Sequence, residues 1–231
     1  MVKIFRRHIT AWQPTGLADW LLLSCLFSGM LLAARMATTG TLEYIFLPWN
    51  LFLASVPYIL TQWMERLAPL PGQRLKLAAA CLGWLLFIPN SFYIITDLFH
   101  LSHVHTAPRW FDLLLVFSFA WNGILFGILS LFRVEQVLRL LKGRGFSILL
   151  VFVVMWLCAW GIYIGRFLRY NSWDVIANPA ELAGEMWDMI RHPFRFGYAW
   201  GMTICYAVFM TLLYFTLQAA GARSGGRMKE V

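Results

Sequence analysis

Charge is scarce in this chain. Asp, Glu, Lys and Arg make up only 13% of its 231 residues, whereas 60% are hydrophobic. Soluble domains carry about 25% charged residues, so a water-soluble globular fold is excluded and a polytopic membrane protein is indicated. Cysteine is scarce too. Cys25, Cys81, Cys158 and Cys205 fall one in each of four apolar segments, none in a CxxC pair. That argues against a disulfide framework or a thiolate metal site, and small buried hydrophobes are expected instead. No HExxH spacing occurs and no glycine-flanked elbow surrounds Ser172, so the zinc-hydrolase and serine-nucleophile patterns are missing. No basic cluster is backed by a nucleic-acid-binding pattern, and no nucleic-acid partner is expected. No small-residue cleavage site follows the first apolar run, although Lys3, Arg6 and Arg7 precede it. That run is read as a retained helix.

Long apolar runs are what the chain has in abundance. A helix needs about 20 apolar residues to cross a hydrocarbon core of about 30 Å. Six segments qualify: Leu17 to Ala34, Tyr44 to Trp63, Leu75 to Phe99, Trp110 to Phe132, Phe146 to Ile164 and Tyr198 to Leu217. The expected fold is all-α, a single six-helix transmembrane bundle over 1–217 with a flexible basic tail over 218–231. Alternating the segments puts 13 of the 19 Lys and Arg residues on the side of the two termini and six on the other. The positive-inside rule then makes both termini cytoplasmic. The net charge of +8 is thus mostly topological, and it also suits anionic membrane lipid.

Between the fifth and sixth segments, Asn178-Pro179-Ala180-Glu181 has the form of a helix start. Leu182, Met186, Met189 and Ile190 then share one face, and Glu181, Glu185, Asp188 and His192 another. An amphipathic helix on the outer surface is expected, lying on the membrane or capping the bundle. The spacings Gly123/Gly127, Gly161/Gly165 and Gly197/Gly201 permit close helix approach. The last two predict contact between the outer ends of the fifth and sixth helices. Leu131 to Lys142 reads as a solvated helix extension, with Glu135 and Arg139 spaced for an ion pair. Trp49 to Gln62 and Trp84 to Asp97 share Trp, Leu, Phe, Tyr, Ile and Thr at common offsets. An inverted repeat and chance similarity both account for that.

The run Phe87 to Leu101, FIPNSFYIITDLFHL, places polar groups where they are costly. At 100° per residue, Asn90, Tyr93, Asp97 and His100 fall within about 80° of one another. They form one polar stripe flanked by Thr96. Ionisable groups in a membrane helix are functional candidates by default. Asp97 and His100 read either as an ion pair or as an acid/base pair, in which a carboxylate fixes the imidazole tautomer. Pro89 frees the carbonyl of Leu85. Asn50 and Asn90 are expected at similar depth, where an interhelical amide bond would be their structural role. Arg109, Asp112, Arg166, Arg169, Asn171, Ser172 and Asp174 are expected on the same face. The arginines could clamp a phosphate or carboxylate, or pair with Asp97, Asp112 or Asp174. His103 and His105 add ligand chemistry, but the spacing fits no metal motif, and no cofactor is assigned.

The segments LPWNLFLASVPYIL, FIPNSFYIITDLFHL and GRFLRYNSWD resemble a family of bacterial integral membrane proteins, domain of unknown function 1361. The resemblance runs from about Leu42 to Pro179. It rests on Pro48, Asn50, Pro57 and Tyr58; on Pro89, Asn90, Tyr93, Thr96, Asp97 and His100; and on Gly165, Arg166, Arg169, Asn171, Ser172, Trp173 and Asp174. His103 and His105 are not positions of that pattern. The resemblance implies a bacterial inner-membrane protein with a polar site at its outer face, and no particular activity.

Three functions are compatible with these residues. The first is a membrane-embedded hydrolase or transferase acting on a lipid-linked or envelope substrate. In it Asp97 and His100 are catalytic, and Arg166, Arg169, Asn90, Tyr93, Asn171 and Asp174 bind substrate. The second is a non-catalytic subunit of an envelope complex, with protein partners. The third is a small transporter, disfavoured because the cytoplasmic halves of the helices carry almost no ionisable groups.

Overall fold

In a computed structural model the described residues are 16–67, 72–102 and 106–227. His103 and His105 lie outside them, as do the terminal residues 1–15 and 228–231. Among the described residues the structure is helical, with no strand. The helices are α1 (Leu17–Thr39), α2 (Leu47–Leu67), α3 (Arg74–Tyr93), α4 (Arg109–Lys142), α5 (Arg144–Tyr163), α6 (Asp174–Ala177), α7 (Pro179–Arg191) and α8 (Gly197–Arg227). A 3₁₀ segment, Ile94–Ser102, prolongs α3, and a π segment, Ile164–Leu168, prolongs α5.

Five stretches are long and apolar enough to cross a membrane: Leu17–Thr39, Arg74–Leu101, Arg109–Arg139, Arg144–Leu168 and Gly197–Gly221. With its 21 residues α2 is long enough, but Asn50, Gln62, Glu65 and Arg66 lower its apolarity. α8 continues helically past Leu217, where the sequence predicts a tail.

Lipid is as apolar as leucine, so helix association in membranes rests on close packing more than on the hydrophobic effect. The tightest packing surrounds the C-terminal half of α3. A Cβ on Gly123 would meet Ile94 Cγ2 at 2.5 Å and the Ser91 carbonyl at 3.1 Å. One on Gly127 would meet Ser91 Cβ at 2.8 Å, and one on Gly161 would meet Pro89 Cβ at 3.0 Å. So α4 and α5 both use their glycines to close on α3. Overpacking such a contact costs about 1–3 kcal/mol. Gly123→Ala is expected to lower stability by that amount and to push Ile94 outward, whereas Gly201→Ala, whose Cβ would meet nothing within 4 Å, should be neutral. Thermal unfolding of the two purified variants checks this.

Several sequence expectations change here. The Gly161/Gly165 face meets Pro89 and Tyr93 of α3, not α8. The C-terminal end of α5 and the N-terminal end of α8 do touch, but through rings: Trp160 on Trp200 at 5.7 Å and Phe167 on Tyr198 at 5.6 Å. Glu135 is not on a solvated face. It is buried and accepts bonds from Ser147 (3.2 Å) and Gln218 (3.2 Å). Only Cys158 of the cysteines is fully buried, while Cys81 and Cys205 are exposed on the outside of the bundle. A short residue with little polarity is tolerated as well against lipid as inside a core. The similar offsets of α2 and α3 do not share surroundings either, since Trp49 is 53% exposed and Trp84 is 5% exposed.

At the end of α7 nearest α8, Met189 is buried against Trp160 and Ala199. Leu182 is buried too, Glu181 and Glu185 are exposed, and Ile190, predicted for the apolar face, is 50% exposed.

Candidate functional site

Both helices that carry the polar motifs change geometry where the motifs begin. Pro89 has no N–H to donate, yet α3 continues through it to Tyr93. Beyond Tyr93 the chain tightens into the 3₁₀ segment, and Thr96 Oγ1 donates back to the Tyr93 carbonyl at 2.8 Å. At three residues per turn, Asp97 and His100 align along the helix more closely than an α-helix would place them. The α-helical stripe predicted from the sequence is therefore regrouped: Asn90 and Tyr93 stay on α3, and Asp97 and His100 belong to a differently wound segment. In α5 the switch is in the opposite sense. The π segment carries Arg166 and ends at Arg169, whose φ of 62° is left-handed. Widened π turns recur at functional sites, and a non-glycine residue with that φ is uncommon.

A cavity of about 620 Å³ opens between α2, α3 and α5 under the α6–α7 segment. Its polar lining comprises Asn50, Asn90, Tyr93, Tyr170, Asn171 and Ser172. Asn90 Nδ2 donates to Ser172 Oγ at 2.9 Å and to the Phe87 carbonyl at 3.1 Å. Ser172 Oγ in turn lies 3.5 Å from the Leu86 carbonyl. The side chains thus serve the carbonyls of Leu86 and Phe87, next along the helix from Leu85, whose helical donor Pro89 removes. Asn171 N–H donates to Asp174 Oδ2 at 2.6 Å, which fixes the turn that brings Ser172 inward. Asp174 acts on that turn and does not line the cavity.

A charged cluster stands next to the cavity. Asp97 is 1% exposed and accepts from Asn50 Nδ2 at 2.8 Å. Asn50 lines the cavity, so it joins the two regions. Arg166 bears on Asp97 electrostatically and sits 3.1 Å from His100 Nε2. Arginine can only donate, so that imidazole nitrogen accepts and the ring proton is assigned to Nδ1. His100 also packs on Phe46 at 5.0 Å, and the Arg166 guanidinium lies 5.5 Å from the Phe99 ring. The expected bond between Asn50 and Asn90 is not formed: each amide has a different partner, Asp97 for one and Ser172 for the other. Arg169 is exposed and is not among the cavity residues. Among the described residues, no group of three or more His, Cys, Asp or Glu is placed to hold a metal.

Sequence reasoning missed a second cluster on the same face. Arg35, 1% exposed, donates to Asp112 at 2.7 Å, Glu43 at 2.6 Å, Thr41 at 2.9 Å and Thr106 at 3.0 Å, and it lies 4.5 Å over the Tyr44 ring. Asp112, expected near Arg166, is bonded to Arg35 instead. The signal was available: Arg35 is an ionisable group near the end of an apolar run, as Asp97 is. The hydrogen bond to Arg35, with those to Thr106 and Thr41, holds the Glu43 carboxyl below the ordinary glutamate range. A depressed carboxylate contributes stability that is complete above the unfolded pKa of about 4.3 and is lost as the pH falls through the lower native value. The unfolding temperature should therefore decline below about pH 4.3, and Glu43→Gln should make that decline shallower.

A multi-helix membrane bundle with a polar-walled cavity and a buried charged cluster at one end defines an integral membrane protein. Residues 49–215 match the family described as protein of unknown function (DUF1361). That is most of the chain, and the chain belongs to this family. No curated protein and no solved structure matches it. The matched region holds the cavity, Asp97, His100 and Arg166, and leaves out Arg35 and Glu43.

Proposed function

We propose that this is a six-span protein of the bacterial inner membrane with both termini in the cytoplasm. In this reading α2 is the sixth span, despite its lower apolarity, because Asn50 is bonded to Asp97 and the exposed Glu65 and Arg66 stand near the end of the helix, at the membrane surface. The cavity then lies at the outer face, and α7 is an amphipathic surface helix covering its entrance. The protein takes a lipid-linked envelope substrate there and acts on it by hydrolysis or group transfer. The observation that carries this reading is the continuity from the cavity through Asn50 to Asp97, with Arg166 and His100 alongside. Asp97 and His100 are the acid/base groups. Arg166 offers guanidinium N–H donors to the negative charge that develops during the transfer, and Arg169 guards the rim. Asn90, Tyr93 and Asn171 hold the head group, with Asp174 fixing the turn that carries Asn171.

A second reading, a non-catalytic envelope subunit that binds the same lipid, draws on the cavity wall. Among the described residues its lining has amides, hydroxyls and rings but no carboxylate, imidazole, lysine or arginine. One experiment separates the two. The purified protein is incubated with a total membrane lipid extract, and head-group composition is followed by mass spectrometry. Formation of a product by wild type and not by His100→Ala supports the enzyme. Lipid retained but unchanged by wild type supports the subunit.

A further inference from the structure

We infer that the cavity selects a lipid whose head group is uncharged and rich in hydroxyls, a glycosyl head, over one presenting a phosphate. This deepens the lipid-substrate reading above and rests on it. The rim establishes the lipid part. Leu82 is 70% exposed, Trp49 53% and Leu85 41%, and all three line the cavity while standing on the outside of membrane-length helices. The cavity therefore opens sideways, where acyl chains can stay in the bilayer while the head enters.

The polar wall establishes the head group. Among the described residues none of those lining the cavity is cationic, so a phosphate entering it would lose its hydration without a counter-charge in the wall, a costly exchange. Asn90 Nδ2 is committed to Phe87 and Ser172, and one N–H of Asn50 Nδ2 to Asp97. Asn50 and Asn90 are only half-buried, and among the described residues their amide oxygens have no hydrogen-bond partner. What the wall offers is uncharged partners of both kinds, the amide oxygens as acceptors and the unpartnered Trp160 Nε1–H as a donor, and sugar hydroxyls both donate and accept. Trp49 and Tyr170 add aromatic faces whose negative charge suits the C–H face of a pyranose ring. The volume of about 620 Å³ lies within the usual range for small-ligand sites.

The test uses the full chain in a polyoxyethylene detergent, which carries no sugar. Native mass spectrometry measures binding of three dioctanoyl lipids, with monoglucosyl, phosphoethanolamine and phosphate heads. The glucosyl lipid is expected to bind about tenfold tighter than the phosphate lipid. Asn90→Leu should remove about tenfold of that affinity, the effect of one or two hydrogen bonds. Trp49→Ala, at an exposed rim position that the fold does not need, should weaken the glucosyl lipid as well. Tightest binding of phosphatidic acid or of the amine lipid overturns the inference and leaves the lipid reading standing. So does unchanged glucosyl affinity in both variants. Failure to bind any of the three overturns both.

Discussion

Arg35→Met will lower the unfolding free energy by about 3–5 kcal/mol, the usual effect of removing one partner of a buried charge pair. The size follows from what is left behind. Asp112 is 2% exposed and takes its charged bond from Arg35 Nε at 2.7 Å, so the variant would strand a carboxylate in the bundle. Glu43 is 34% exposed in its side chain and can rehydrate, so it adds little. The double variant Arg35→Met/Asp112→Leu should recover most of the loss, because replacing a buried pair with apolar residues of similar volume is often neutral. Denaturant unfolding in detergent measures all three. A loss below about 1 kcal/mol in Arg35→Met would mean that the cluster acts as a surface pair. The expected consequence for the site is indirect. Arg35 ties the end of α1 to the start of α4, and α4 carries Gly123 and Gly127, against which the C-terminal half of α3 packs.

The helices were legible because hydropathy and length are local properties. Five of the six expected spans correspond to apolar helices, and Asn90, Tyr93, Asn171 and Ser172 do line one cavity. Helix winding was not legible. Whether the chain after Tyr93 follows an α or a 3₁₀ path depends on how closely Gly123 and Gly127 admit Ser91 and Ile94, which is a tertiary matter. The same holds for partner choice. Arg35, Arg166, Asp97 and Asp112 were all assignable to one face, but charge alone leaves the pairing open. Burial decided it, since Arg35 and Asp112 are both almost wholly enclosed and each is the other's charge partner. Glu135 was misread because an i, i+4 ion pair is a property of exposed helix faces, and exposure was what the sequence left open.

Asp97→Asn is expected to reduce product formation by about 10²–10⁴-fold, the range for loss of a general acid or base, while leaving the fold intact. Asparagine has nearly the same shape, and its carbonyl oxygen can still accept from Asn50 Nδ2, so the 2.8 Å contact that anchors the cavity wall survives. What disappears is the negative charge that faces Arg166 and the capacity to carry a proton. An unfolding temperature close to wild type, lipid affinity unchanged and product absent would together assign Asp97 to the chemical step. Loss of all three would make it a structural carboxylate. Retained turnover would remove the acid/base role and leave the non-catalytic subunit as the better account of this face. His100→Ala sharpens the comparison, because it frees Arg166 from its 3.1 Å contact without touching the Asn50–Asp97 bond. If the two residues work as one unit, their effects on turnover will fall well short of additive; if each acts only on its own neighbour, they will add.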